Sequence, residues 1–191
     1  MKINIHQLER SSTLLGPGKR YLIWFQGCDK NCKGCMSQLS RDRNIKNEID
    51  VDDLLEDILS ADVEGITISG GEPFLQVEGL TELVRKVKEQ GLGVIVYTGY
   101  LYEDIKDLEV MKDIDVLIDG PYVDELNMDN DAYRGSSNQR IIALSDRYDL
   151  KEYQSHKRKA EITFDKDNIH LIGVPSREVL KIYYQMIDQL S

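Results

Sequence analysis

All three cysteines of this 191-residue chain fall within one eight-residue stretch, Cys28-Asp29-Lys30-Asn31-Cys32-Lys33-Gly34-Cys35, and no other feature constrains the fold as much. Thiolates are soft ligands, and cysteines packed this closely converge on one metal or one cluster. Such a site needs a rigid base. The run Tyr21-Leu22-Ile23-Trp24-Phe25 reads as a buried strand that delivers the chain into the cysteine loop, so the core would fix where the loop begins.

The number of thiols bears on what they hold. A closed structural zinc site takes four protein ligands, whereas three ligands with one open position mark a site that does chemistry. On a four-iron cluster, three thiolates leave one iron free for a substrate or cofactor. The alternative is a zinc- or cluster-binding module without catalysis, its fourth ligand supplied by His6, His156 or His170, although none stands at a finger-like spacing. An odd count of three and such short separations speak against a disulfide framework.

Downstream, apolar runs alternate between the two periods. Val51, Leu54, Leu55, Ile58 and Leu59 share one helix face between Asp50 and Ser60, and Leu80, Leu83, Val84 and Val87 share another, with Gly91 as its stop. Strands are predicted at Gly65–Ser69, Val94–Tyr97 and Val116–Ile118, with a weak helix over Tyr102–Leu108. Ile3 and Ile5 open a short strand, and Gly16-Pro17-Gly18 marks a turn. Strands alternating with helices predict an α/β protein with a largely parallel sheet, whose active site lies at the carboxyl ends of the strands. The cysteine loop, Gly70-Gly71-Glu72-Pro73, Thr98-Gly99 and Asp119-Gly120 all follow strands and so fall on one rim. A full eight-unit barrel needs about 250 residues. This chain is expected to form a partial, incomplete β/α barrel with one side open.

The expected organisation is a single domain over residues 1–191, with its core at about 16–142 and a C-terminal hairpin and helix at 143–191. Ser145–Lys159 is charged, the composition of a mobile loop. Glu161–Phe164 and Ile169–Ile172 flank Asp165-Lys166-Asp167-Asn168 as a hairpin, and Ser176 caps a last helix carrying Val179, Tyr183, Met186, Ile187 and Leu190 on one face. The net charge of −10 disfavours nucleic acid or an anionic membrane as partner. The sequence shows neither an apolar signal-peptide core nor a long uncharged apolar run, and its few clustered cysteines suit a reducing compartment, so a cytoplasmic location is expected.

Cysteines and glycines together narrow the reading. CxxxCxxC followed, after the next strand, by Gly70-Gly71-Glu72-Pro73 resembles the radical S-adenosyl-L-methionine superfamily. Trp24-Phe25-Gln26-Gly27-Cys28, Tyr97-Thr98-Gly99-Tyr100, Ile118-Asp119-Gly120-Pro121-Tyr122 and Arg134-Gly135-Ser136-Ser137-Asn138-Gln139-Arg140 resemble the anaerobic ribonucleotide reductase activating proteins, a family of glycyl-radical-enzyme activases. Two features depart from that pattern: Met36-Ser37 follow the third cysteine where many activases carry an aromatic or His and then Asn, and residues after Ser145 match no motif of the family.

The resemblance implies a 4Fe-4S cluster on Cys28, Cys32 and Cys35, with S-adenosylmethionine held at its open iron and cleaved by one electron to a 5'-deoxyadenosyl radical. It implies that Gly70, Gly71, Glu72 and Pro73 orient the methionine end, and it makes Thr98, Asp119, Ser137 and Asn138 candidates for ribose, carboxylate or target contacts. The partners it implies are a glycyl radical enzyme, foremost an anaerobic ribonucleotide reductase, and a small reducing electron donor such as a flavodoxin. A radical enzyme acting on another peptide or a small molecule is the rival within the class.

Overall fold

The structure is a computed structural model and describes residues 1–127, 133–154, 157–164 and 168–190. Its frame is a seven-stranded mixed sheet. Strand β1 (Lys2–Ser12) pairs antiparallel with β2 (Arg20–Phe25), and β3 (Glu48–Asp50) pairs antiparallel with the start of β1. The chain then winds through α1 (Val51–Leu59), β4 (Gly65–Gly70), α2 (Val77–Glu89), β5 (Gly93–Tyr97), α3 (Tyr102–Ile105) and β6 (Val116–Asp119). Strands β2, β4, β5 and β6 lie parallel in the centre, and β7 (Arg140–Ala143) closes the far edge antiparallel to β6. The order β3-β1-β2-β4-β5-β6-β7 leaves an open sheet, the incomplete barrel that the length predicted.

The helices form where the apolar spacing placed them. Asp50 caps α1 by accepting from the Asp52 N–H at 3.0 Å, and Asp52 and Asp53 complement the amino end of the helix dipole. Val51, Leu54 and Ile58 are buried, while Leu59 turns outward at 48% exposure. Together α1 and α2 cover one face of the sheet, where Ile23, Phe25, Ile68, Val96 and Leu117 form the main core with Leu80, Leu83 and Val84. All six residues of β2 are buried, because both of its faces are covered and it pairs on both sides.

The last third of the chain covers the other face. A two-stranded hairpin of β8 (Ala160–Phe164) and β9 (Ile169–Gly173) sets Ile172, with Val174 just beyond it, against Leu22 and Trp24. The hairpin is present as predicted; its turn at Asp165–Asp167 lies outside the described residues, as do His156, Ser191 and the side chain of Leu190. Helix α5 (Arg177–Leu190) follows, with Tyr183 buried.

Ser145–Lys159 corrects the expectation of a mobile loop. It contains α4 (Leu150–Gln154), and Tyr153 packs edge-on against Tyr133 at 5.1 Å beneath Ile95, Val116 and Ile118. A buried cation fixes the segment further. Arg20 is fully buried; it donates to Thr67 Oγ1 at 2.6 Å, to the Gly93 carbonyl at 3.1 Å and to the Tyr148 hydroxyl at 2.8 Å. Within this segment Asp146, Arg147, Asp149 and Lys151 are exposed, while Tyr153 is buried and Tyr148 packs partly buried against the same cluster.

Candidate active site

The base of the site is built from backbone contacts. Where β2 ends, the Gly27 N–H donates to the Ser40 carbonyl at 2.7 Å and the Cys28 N–H to the Arg41 carbonyl at 3.1 Å, so the cysteine loop leaves and returns along a fixed seam. The parallel pairing of β2 with β4 then continues past the strands: the Gly71 N–H donates to the Phe25 carbonyl and the Glu72 N–H to the Gly27 carbonyl, both at 2.8 Å. A Cβ on Gly71 would lie 2.1 Å from the Gly27 oxygen, and one on Gly70, which takes a φ of +108°, would lie 2.5 Å from the Phe25 oxygen. Two glycines are required because two backbones touch.

Glu72 joins the second loop to the third. It is buried at 1% exposure, and its carboxylate accepts from the Thr98 hydroxyl at 2.8 Å, the Gly99 N–H at 2.7 Å and the Phe74 N–H at 3.1 Å. Burial pushes its carboxyl above the ordinary value, opposed by those three donors and by the Lys30 ammonium. Pro73, just after it, opens a short 3-10 turn. Thr98 accepts in turn from the Tyr100 N–H at 3.1 Å. The Lys30 ammonium sits 3.4 Å from the centre of the Tyr100 ring, and the Tyr100 hydroxyl donates to Asp29 at 2.9 Å, which pins the cysteine loop to the β5 loop.

These loops surround a single cleft. Cys28, Cys32 and Cys35 line it together with Gly70, Gly71, Glu72, Thr98 and Gly99, so the structure brings the predicted ligands and the glycine turn to one cavity. All three cysteines are free and partly exposed. Burial pushes the Cys28 and Cys35 thiols up, so metal must displace protons to bind there. Among the described residues no three His, Cys, Asp or Glu side chains are gathered to hold a single ion. Neither His6 nor His170 lines the cysteine cleft; His6 bonds Gln26 at 2.9 Å, and both border a separate cavity. Three thiols around one cleft, lined also by the Gly70–Gly71 turn, fit a cluster whose ligands bond separate irons.

Three predicted contacts stand elsewhere. Asp119 is fully buried and turned to the sheet edge, where it accepts from the Tyr102 N–H at 2.7 Å and from Arg140 Nε at 2.9 Å, with Arg140 also paired to Glu103. Its role is to tie β6 to β7 and α3. Ser137 and Asn138 do not border the cleft; the Ser137 N–H donates to the Leu126 carbonyl and the Asn138 amide to the Pro121 carbonyl. Gly135 and Gln139 of the same loop border it instead, the Gln139 side chain accepting from the Gly135 N–H at 2.8 Å and donating to the Gly120 carbonyl at 3.0 Å. Sequence reasoning also missed Gly173 and Val174, which border the cleft from the C-terminal hairpin, and Tyr184 of α5. The Tyr184 hydroxyl donates to the Met36 carbonyl at 3.3 Å and accepts from the Gln38 N–H at 3.1 Å. Only the RGSSNQR motif signalled any of these positions in advance.

An open α/β sheet that carries three clustered thiols and a backbone-tight glycine turn on one rim fits the radical S-adenosylmethionine class that the sequence motifs resemble. Residues 14–142 match the family described as 4Fe-4S single cluster domain. An anaerobic ribonucleoside-triphosphate reductase-activating protein of Enterobacteria phage T4 is 33% identical over 138 residues, covering 69% of this chain and 88% of its own length. The protein of that description from Haemophilus influenzae is 32% identical over 152 residues, covering 73% and 97%. Pyruvate formate-lyase 1-activating enzyme of Escherichia coli K12 is 27% identical over 190 residues, covering 92% of this chain and 75% of its own. The chain belongs to the family of anaerobic ribonucleoside-triphosphate reductase-activating proteins.

The cofactors of this enzyme are a 4Fe-4S cluster and S-adenosylmethionine. When bound, with Cys28, Cys32 and Cys35 holding the cluster, they would supply one-electron radical chemistry that the side chains cannot perform themselves. The protein's part is positioning. Glu72 is a positioning residue, since it fixes the Gly70–Gly71 turn against the Thr98–Gly99 loop while its own oxygens are taken up by three protein donors. Glu72→Gln would face an amide N–H₂ toward one of those donors and leave it unmatched, at a cost of about 1–3 kcal/mol. The expected result is roughly tenfold weaker S-adenosylmethionine binding by titration, a lower melting temperature and unchanged iron content.

Proposed function

We propose that the protein generates a glycyl radical on an anaerobic ribonucleoside-triphosphate reductase in the cytoplasm, with its cluster reduced by a small donor protein such as a flavodoxin. The observation that carries the reading is the cleft itself, in which Cys28, Cys32 and Cys35 meet the Gly70–Gly71 turn at the mouth of a sheet that does not close. Cys28, Cys32 and Cys35 would hold the cluster, and Gly70, Gly71, Glu72, Pro73 and Thr98 would form the S-adenosylmethionine side of the cleft. The reaction removes one hydrogen atom from the Cα of a glycine in the partner, and 5'-deoxyadenosine carries it away. An open edge suits a substrate that arrives as a loop of a folded protein. The net charge of −10 supports a reading without nucleic acid or an anionic membrane as partner.

A second target has its own support. The match to pyruvate formate-lyase 1-activating enzyme covers 92% of this chain and so extends past the 14–142 family match into the C-terminal hairpin. The test is anaerobic reconstitution, iron and sulfide analysis, and incubation with S-adenosylmethionine and each candidate partner. The reading expects 5'-deoxyadenosine and a glycyl-radical EPR doublet on the reductase; a doublet on a formate-lyase alone reassigns the target. Bound zinc, or no 5'-deoxyadenosine under reduction, would sink the enzyme reading altogether.

A further inference from the structure

The acidity of the chain is not evenly spread. The 22 residues from Gln26 to Asn47 hold five Lys or Arg and two Asp, a net +3, so the remaining sequence carries −13. The basic side chains are not sequestered: Arg43 and Lys46 are exposed and Arg41 partly so. The same segment exposes two apolar side chains, Ile45 at 71% and Leu39 at 44% exposure. Neither is loose chain. The Asn4 side chain holds the segment, its oxygen accepting from the Lys46 and Asn47 N–H groups at 2.9 and 3.2 Å and its amide donating to the Asn44 carbonyl at 3.1 Å. Gln26 Nε2 fixes the Asp42 carbonyl at 2.6 Å.

The segment is also the outer cover of a cluster ligand. The Cys28 N–H donates to the Arg41 carbonyl at 3.1 Å, and Arg43 Nε donates to the Cys28 carbonyl at 3.3 Å. None of residues 39–47 lines the cysteine cleft. A target glycine must enter that cleft, whereas an electron needs only to reach the cluster. Electron tunnelling falls steeply with distance and follows short bonded and hydrogen-bonded contacts, so the outside of Cys28 serves an electron and does not serve a glycine.

We infer that Leu39, Arg41, Arg43, Ile45 and Lys46 form the docking surface for an acidic one-electron carrier protein. The inference rests on the reading above, in which an outside donor reduces the cluster. One electron passes from the donor's reduced cofactor to the cluster, and no atom is transferred at this surface. Exposed apolar side chains on a segment with a cationic balance match the short-lived, electrostatically steered encounters of redox partners, in which complementary charge sets the association rate and apolar contact sets the register. The −13 on the rest of the chain would turn an acidic carrier away from every other approach.

The test uses an acidic flavodoxin as probe and the full-length variant Ile45→Glu/Lys46→Glu, which leaves the contacts of Arg41 and Arg43 with Cys28 in place. Affinity is titrated at low and high salt, with Lys112→Glu, outside the patch, as the control. The expected results are salt-dependent binding by wild type and control, at least tenfold weaker binding by the double variant, and a matching loss in the rate of cluster reduction by the flavodoxin. 5'-Deoxyadenosine formation driven by photoreduced deazaflavin should be the same in all three. Equal affinity in variant and wild type, binding insensitive to salt, or displacement of the flavodoxin by the glycyl radical enzyme would overturn the docking assignment while the deazaflavin reaction still stands. Failure of the deazaflavin reaction in the wild type would overturn the enzyme reading and this surface with it.

Discussion

Cys32→Ala is expected to yield a folded protein that retains no complete four-iron cluster and forms no 5'-deoxyadenosine. Cys32 is half-exposed on the loop and lines the cleft, so its side chain contributes little to the core. The melting curve of the metal-free variant should therefore fall within a few degrees of metal-free wild type, since about 1 kcal/mol moves a chain of this size only 2–4 °C. The loss lies in the chemistry. With two thiolates left, the loop cannot carry a cluster that keeps one iron for the cofactor and three for the protein. Iron analysis and product chromatography after anaerobic reconstitution measure both effects, and retained 5'-deoxyadenosine formation would show that the ligand set is wrong.

Gly71→Ala is expected to damage both the fold and the site. The new Cβ would lie 2.1 Å from the Gly27 oxygen and 2.9 Å from the Ser40 oxygen, and both are backbone atoms that cannot swing aside as a side chain does. Relief requires parting the seam between the cysteine loop and the glycine turn, which includes the 2.8 Å bond from the Glu72 N–H to the Gly27 carbonyl. Overpacking of this kind costs about 3 kcal/mol, or roughly 10 °C in melting temperature for a domain of this length. Binding of S-adenosylmethionine should be lost along with it. Wild-type stability and affinity in the alanine variant would mean that the two backbones are not in contact.

The frame and the centre of the site were legible because they depend on local pattern. The 3.6-residue spacing of Val51, Leu54 and Ile58 gave α1 within a residue at each end, and an unbroken apolar run gave β2. Cysteine spacing and a paired glycine after a strand marked the cleft, since both report what the backbone and the thiols can do in that position alone. Pairing between distant segments was not legible. Strand β1 runs to Ser12, well past the alternating Ile3 and Ile5, because β2 pairs with it as far as Arg20. Tyr148 and Tyr153 looked like solvated loop until Arg20, more than a hundred residues earlier, placed a buried cation beneath them. Asp119 stands outside the lining of the cleft for the same reason. Only the structure reveals that Arg140, on the next strand, takes its carboxylate.

Tyr184 gives the C-terminal helix a bearing on how the enzyme is assembled. Its hydroxyl bridges the Met36 carbonyl and the Gln38 N–H, immediately after the last cysteine, so the loop is anchored at Cys28 by the strand seam and beyond Cys35 by α5. A loop fastened at both ends has less freedom to lose when iron and sulfide arrive, and the cluster is received by ligands already gathered. Loading would then depend on α5 being docked against the loop, so that unfastening Tyr184 would weaken cluster uptake without touching a cysteine.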